Sequence, residues 1–116
     1  MFKFHTVNNE IIVELAAENL RINEVQDALD LIADLGSQGY NRMIIHEKNL
    51  NKDFFDLKTR LAGDILQKFS NYKIKLAIIG DFSKYKSKSL RDFIRESNRG
   101  NMIFFMEDLQ SALQHF

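Results

Sequence analysis

The sequence predicts an α/β domain in which a mixed, mostly parallel sheet is covered by helices. Stretches rich in strand-forming residues alternate with stretches of helical periodicity along the 116 residues. Residues 74–79 are almost continuously apolar, which is typical of a parallel strand buried on both faces. The resulting order, β-β-α-β-α-β-α-β-α, predicts right-handed crossovers between parallel strands, with an antiparallel hairpin added at one edge.

The chain opens with the predicted hairpin. Residues 2–7 and 10–15 are rich in strand-forming side chains and are separated by Asn8 and Asn9. Asparagine tolerates positive φ better than most residues that carry a side chain, and a two-residue type I′ turn requires positive φ at both positions. The first strand of the hairpin is expected at an exposed edge of the sheet.

An amphipathic helix is predicted over about 23–35. Asn23 can cap this helix, Gln26 stands at the reciprocal position of a capping box, and Gly36 fits the left-handed position after the helix end. Apolar side chains recur on one face, and the other face is acidic through Glu24, Asp27, Asp30 and Asp34. The helix is therefore expected to bury one face and to expose a negatively charged one.

Three further strand–helix alternations complete the prediction. In chain order they are a strand at 43–45, a helical region capped by Asn51 with an apolar stripe through Leu57, Leu61, Ile65 and Phe69, the strand 74–79, a helix opened by Ser87 or Ser89, a strand at 102–106 and a helix at 108–116. The chain has no proline, no linker and no internal repeat, so we expect a single domain over 1–116.

Composition excludes several classes of protein. The chain lacks cysteine, which excludes disulfides, thiolate metal sites and cysteine nucleophiles and suits a reducing cytoplasm. No apolar run approaches the roughly 20 residues that a membrane helix needs. With 16 basic and 16 acidic side chains, the protein has no overall attraction to nucleic acid or to anionic lipid. We expect a cytoplasmic protein that does not enter membranes.

Polar side chains follow the predicted parallel strands, and ligands of open α/β sheets bind beyond the carboxyl ends of such strands. The candidate ligand-binding residues at this rim are His46, Glu47, Asp56, Lys58, Asp81, Ser83, Lys84 and Tyr85. They offer an imidazole, carboxylates, hydroxyls and ammonium groups. An enzyme or a small-ligand binder would use the rim around His46 and Asp81. In the structural alternative, these two side chains only hydrogen-bond nearby loops and helix ends.

Motifs for metal and nucleophilic chemistry are incomplete. His46 and Glu47 begin like the H-E-x-x-H motif of zinc proteases, but Leu50 stands where the second histidine must be. A triad of Ser83, His46 and Asp81 lacks the G-x-S-x-G turn that would support it. Catalytic residues stay unassigned, we expect no metal and no cofactor, and a protein without catalytic activity is favoured.

Charge is segregated along the chain. Residues 1–58 carry 6 basic and 10 acidic side chains, and residues 59–116 carry 10 and 6. The third helix has a basic stripe formed by Lys88, Arg91, Arg95 and Arg99. This stripe could follow the phosphates of a nucleic acid, but Asp92 and Glu96 lie beside it, so a solvated face with internal ion pairs is favoured. Matching between the acidic and basic helices would instead favour a protein partner or self-association.

Nearly the whole chain resembles the bacterial "domain of unknown function" family numbered 4180. The resemblance is carried by residues 25–31 (VQDALDL), 44–49 (IIHEKN), 54–59 (FFDLKT), 61–63 (LAG), 65–69 (ILQKF), 76–85 (LAIIGDFSKY) and 87–93 (SKSLRDF). The activity of this family is unknown, so the resemblance assigns none to the chain. Its members often carry glycine where this chain has Arg60.

A more distant resemblance is to STAS domains, the anti-sigma-factor antagonist (SpoIIAA-like) fold of bacterial stress and sporulation switches. Residues 43–47 are similar to their central strand, residues 104–113 to their last strand and helix, and the element order agrees. The resemblance implies a STAS-like topology, a regulatory module that binds other proteins, and a phosphorylated serine at the position of Thr59. Asp56 lies one residue too far from Thr59 for the family's motif, and Arg60 replaces its glycine. Thr59 can alternatively cap a helix with its hydroxyl.

Overall fold

A five-stranded mixed sheet forms the centre of the computed structural model, which describes residues 2–16, 18 and 20–116. The strands follow chain order across the sheet: β1 (Phe2–Val7), β2 (Glu10–Leu15), β3 (Arg42–His46), β4 (Lys75–Ile79) and β5 (Ile103–Met106). β1 pairs antiparallel with β2, and all other neighbours are parallel. The predicted α/β class, the mixed sheet and the edge position of the hairpin are confirmed.

Helices cover both faces of this sheet. They are α1 (Val25–Ser37), α2 (Leu61–Asn71), α3 (Lys88–Arg99) and α4 (Leu109–His115). The larger core joins α1, α2 and α3 to one face, and a smaller cluster around Ala112 joins α4 to the other, because successive strand residues point to opposite faces. Within the described ranges, every helix is too short or too polar to cross a membrane.

Three local predictions are confirmed. Asn8 and Asn9 have φ values of 52° and 66°, and Val7 pairs with Glu10 across the turn, as a two-residue type I′ hairpin requires. β4 lies between two parallel strands and is almost wholly buried. Of the two serines predicted to open α3, Ser87 is the cap, because its hydroxyl accepts the Leu90 N–H at 3.2 Å.

The ends of α1 differ from the prediction. The cap is Glu24 instead of Asn23, and Asp27 instead of Gln26 completes the capping box. The reason is that Asp27 Oδ2 accepts two consecutive N–H groups, at 2.8 Å and 3.2 Å. Gly36 lies inside the helix, and Gly39 takes the left-handed conformation, with φ of 81°.

The segment between β3 and α2 is not the continuous helical region that its apolar stripe predicts. It forms three 3-10 turns, Glu47–Asn49, Lys52–Phe55 and Leu57–Thr59, before α2 begins. Asn51 caps the second turn and Asp56 the third, since each side chain accepts a backbone N–H two residues ahead. Such local bonds compete with a continuous helix, and Arg60, with φ of 64°, interrupts the helical backbone before Leu61.

Candidate functional site

Three of the predicted rim residues meet at the carboxyl ends of β3 and β4, and we call Glu47, Lys84 and Tyr85 the rim cluster. Lys84 Nζ lies 2.7 Å from Glu47 Oε2, and the Tyr85 hydroxyl donates a hydrogen bond to the same oxygen. Gly80 allows this arrangement, because a Cβ at that position would lie 2.7 Å from both the Cβ and Oε1 of Glu47. Burial and the contact with Glu47 both raise the pKa of Tyr85, so its phenol keeps its hydrogen at neutral pH.

Aromatic packing fixes the position of this cluster. The Tyr85 ring stacks on Phe55, with centroids 4.9 Å apart and planes 16° apart. The ring centroids of Phe55 and Phe82 lie 6.0 Å apart, and those of Phe82 and Phe105 of β5 lie 5.3 Å apart. The rim cluster is therefore joined to the core through a row of rings.

A shallow cleft borders the rim cluster, and we call it the basic cleft. It is lined by Glu47, Lys84 and Tyr85 together with Arg21, Lys48, Leu50, Lys52 and Phe55. Its lining therefore contains four cationic side chains and one carboxylate. The segment that carries Arg21 is tied to the other wall, because the Ile22 N–H donates to Asn49 O at 2.6 Å.

A second cluster lies on the sheet face that α4 packs against, and its members are His5, Glu14 and His46. Glu14 Oε1 is 2.8 Å from His5 Nε2, and Glu14 Oε2 is 2.7 Å from His46 Nε2. Glu14 is only 7% exposed. Burial alone would raise the pKa of its carboxyl, but the hydrogen bonds and charges of the two imidazoles outweigh burial and lower it. This cluster links β1, β2 and β3.

The two histidines bond to the carboxylate of Glu14 instead of converging with it on a common point. Among the residues that the structure describes, no group of three or more His, Asp or Glu side chains has a geometry that could hold a metal ion.

The structure separates His46 and Asp81, which the sequence groups on one rim. His46 bonds to Glu14, and it forms the capping box of the first 3-10 turn with Asn49. Asp81 Oδ1 accepts both the backbone N–H and the hydroxyl of Ser83, at 3.1 Å and 2.6 Å, and these bonds lower the pKa of Asp81. The Asp81 contacts are of the kind that the structural alternative predicts, whereas the bond of His46 to buried Glu14 on β2 is a contact within the sheet that neither alternative includes.

The hydrogen bonds of Asp56, Lys58 and Thr59 stay within their own turn. Asp56 Oδ1 accepts the Lys58 N–H at 3.2 Å. Thr59 Oγ1 lies 2.7 Å from Asp53 O and 2.8 Å from Asp56 O, and it accepts the Leu61 N–H at 3.2 Å. The Thr59 hydroxyl thus satisfies the first N–H group of α2, although the cap residue itself is Arg60, which makes no side-chain cap hydrogen bond.

Ion pairs occupy most of the basic stripe on α3. Three of its four cations are bonded on the helix itself: Lys88 to Asp92 at 2.9 Å, Arg95 to Asp92 at 2.6 Å and Arg99 to Glu96 at 3.1 Å. Arg91 has no ion pair within the described part of the chain. Asp92 and Glu96 therefore offset two of the four positive charges of the stripe.

Sequence reasoning missed Glu14, His5 and the three cleft cations Arg21, Lys48 and Lys52. For Glu14 an indication existed, because it is the one charge inside the apolar run 11–15, and a buried charge needs partners. Lys48 and Lys52 lie four residues apart in the segment after β3, but Arg21 comes from a segment 27 residues before Lys48, so no spacing pattern joins all three.

Comparison with curated proteins and with solved structures gives no match. A family model described as "Domain of unknown function (DUF4180)" matches residues 7–116, which include both clusters except for His5. The match covers nearly the whole chain, and the chain therefore belongs to the DUF4180 family.

Proposed function

We propose that this protein is a non-catalytic regulatory module that binds a second protein chain along the edge strand β1. The observation that carries the proposal is a difference between the two edges of the sheet. The β5 edge is closed by side chains of α3, whereas no side chain in the described part of the chain closes the β1 edge in this way. Natural proteins usually block an edge strand that is not used for pairing.

Side chains of α3 close the β5 edge. Asn98 Nδ2 donates to Phe105 O at 3.2 Å, and Asn98 Oδ1 accepts the Phe105 N–H at 2.7 Å. The Ser97 hydroxyl donates to Ile103 O at 2.9 Å. Another strand could pair with β5 only by breaking these bonds.

Among residues 2–16, 18 and 20–116, no comparable side-chain bond protects the β1 edge. Hydrogen-bonded and non-hydrogen-bonded pairs alternate along a hairpin, so the backbone groups of Phe2, Phe4 and Thr6 point away from β2. The side chain of Phe4 is 54% exposed, and Ile11 on β2 is 41% exposed. Lys3 is the only formally charged side chain in β1. An extended strand can therefore add to β1 through backbone bonds and apolar contact.

A second copy of this chain is the partner that suits β1. Its outward backbone groups are spaced symmetrically about Phe4, so two antiparallel β1 strands can pair with Phe4 opposite Phe4. This arrangement does not use the predicted matching of acidic and basic helices, because α3 packs on β5 at the opposite edge. Self-association would then join two sheets of five strands into one.

Light scattering at high protein concentration tests this proposal. We expect a dimer for the native chain and a monomer for Phe4→Lys, which places a charge at the centre of the pairing. Tyr72→Lys is the matched control, since Tyr72 is an aromatic side chain on another surface with 61% exposure. A strict monomer at high concentration would contradict the proposal, as would a dimer that Tyr72→Lys disrupts and Phe4→Lys does not.

We also propose a cytoplasmic location, which the absence of cysteine from the sequence suits. A STAS-like relationship is a second part of the proposal. Its support is the element order and the resemblance of residues 43–47 and 104–113. The contacts of the Thr59 hydroxyl favour capping over phosphorylation at that position. Intact mass of the protein from its native host distinguishes the two, because a stoichiometric phosphate at Thr59 would indicate a switch.

A further inference from the structure

The basic cleft has the charge and the fixed donors of an anion site, and none of its lining residues belongs to β1. We propose that it binds a small phosphate monoester, with Arg21 and Lys52 as the principal contacts. This inference does not depend on self-association. It places a ligand site at the carboxyl ends of β3 and β4, where open α/β sheets bind their ligands.

The charge balance of the cleft favours an anion. Its single carboxylate, Glu47, is already neutralised by Lys84 at 2.7 Å and accepts the Tyr85 hydroxyl as well. Lys48 has a loose pair with Glu18 at 3.4 Å, and both side chains are well exposed, so this pair is weak. Lys52 has no ion pair within the described residues. Arg21, Lys48 and Lys52 therefore present positive charge that the cleft itself does not compensate.

Arg21 is held in position before any ligand arrives. Its Nη1 donates to Lys48 O at 2.8 Å, which occupies one of the five guanidinium N–H groups. The backbone next to it is fixed on both sides, because Ile22 bonds to Asn49 O at 2.6 Å and accepts the Asn51 N–H at 3.1 Å. A guanidinium with free donors in a fixed orientation suits two-point recognition of phosphate.

Neighbouring features limit the size of the ligand. Arg21 also borders a groove along α1 that contains Asp27, Asp30 and Asp34. These carboxylates would repel a phosphate backbone that continued from the cleft into the groove, whereas a single phosphate group needs only the cleft, whose one carboxylate is Glu47. A phosphate monoester carries about two negative charges at neutral pH, which suits the uncompensated cations better than a monovalent carboxylate does.

A titration of ¹⁵N-labelled protein with inorganic phosphate and with glycerol 3-phosphate tests the site, at constant ionic strength maintained with NaCl. We expect saturable shifts of the backbone amides of Arg21, Lys48 and Lys52, and none with glycerol. Arg21→Gln should weaken binding by about tenfold, the effect of losing one charge-assisted contact. Lys52→Gln, which changes an exposed side chain that has no ion pair with any described residue, should weaken phosphate binding by at least about threefold.

Arg91→Gln is the matched control, because Arg91 is an exposed cation outside the cleft that has no ion pair with the residues described, and this variant should bind phosphate as the native chain does. Linear, unsaturated shifts, or equal weakening by Arg91→Gln and Arg21→Gln, would overturn the proposal in favour of general charge screening. The Phe4→Lys variant should retain phosphate binding. Loss of dimerisation and loss of the anion site are thus distinguishable.

Discussion

Arg60 has a left-handed backbone, with φ of 64°, which costs a residue with a Cβ roughly 1–2 kcal/mol. Glycine removes this cost but gains entropy in the unfolded chain, so we expect Arg60→Gly to stabilise the protein by about 0.5–1 kcal/mol. Urea unfolding measures the change. Arg91→Gly is the control, since it makes the same substitution inside α3 and should lower the free energy of unfolding by about 1 kcal/mol. Equal losses in both variants would contradict the assignment of strain to Arg60.

Glu14 makes the stability of the protein depend on pH. Because its pKa is lowered in the folded state, its contribution is present above the unfolded pKa of about 4.5 and is lost as the pH falls through the folded value. We expect Glu14→Gln to lower the free energy of unfolding at pH 7 by about 1–3 kcal/mol, since His5 and His46 lose a charged acceptor. Below pH 4 the difference in free energy of unfolding between the native protein and Glu14→Gln should shrink.

Urea unfolding at pH 7, 5 and 3.5 provides the comparison. Glu10→Gln is the control on the same strand, because Glu10 is exposed and lies 3.6 Å from Arg42. It should change stability by less than about 0.5 kcal/mol. A constant difference between native and Glu14→Gln protein across this pH range would contradict the account.

The β5 strand depends on α3 for its outer hydrogen bonds. Asn98→Ala leaves both the N–H and the C=O of Phe105 without their side-chain partner, so we expect a loss of about 1–3 kcal/mol. Amide exchange at Phe105 should accelerate as well. Asn98→Asp keeps an acceptor for the Phe105 N–H but places an oxygen against Phe105 O. Its free energy of unfolding should therefore lie between those of the native chain and Asn98→Ala.

Gln110→Ala, on the exposed surface of α4, is the control for Asn98 and should leave both stability and exchange at Phe105 unchanged. If Asn98→Ala unfolds at the native urea midpoint with native exchange at Phe105, the side chain does not close this edge. Asn98→Ala also opens the β5 edge of the sheet, so the solubility of this variant is expected to fall.

Self-association of the whole molecule should be insensitive to salt. Pairing through β1 relies on backbone bonds and apolar contact, whereas matching of acidic and basic helices would be screened, since the Debye length falls to about 3 Å at 1 M salt. We expect the dissociation constant to change less than about threefold between 0.05 M and 0.5 M NaCl, measured by sedimentation equilibrium. A rise of tenfold or more would favour the charged helices as the interface.

Local chemistry explains why parts of the fold could be predicted from the sequence. The hairpin follows from the steric tolerance of Asn8 and Asn9 for positive φ, and both adopt it. The ion pairs along α3 follow from spacings of three and four residues. The run 74–79 becomes a central strand because an apolar segment of that length is buried on both faces.

Tertiary structure decided the parts that depend on distant segments. Glu14 and His46 are 32 residues apart, and they meet only because β2 and β3 are parallel neighbours in one register. Arg21 reaches the basic cleft because the Ile22–Leu50 bridge aligns its segment with the turn after β3. The sequence predicts that His46 and Asp81 lie together. In the structure His46 bonds to Glu14 and Asp81 bonds to Ser83, so the two side chains have different partners. Residue spacing determines contacts within one turn or hairpin, whereas contacts between elements require the packing of the complete core.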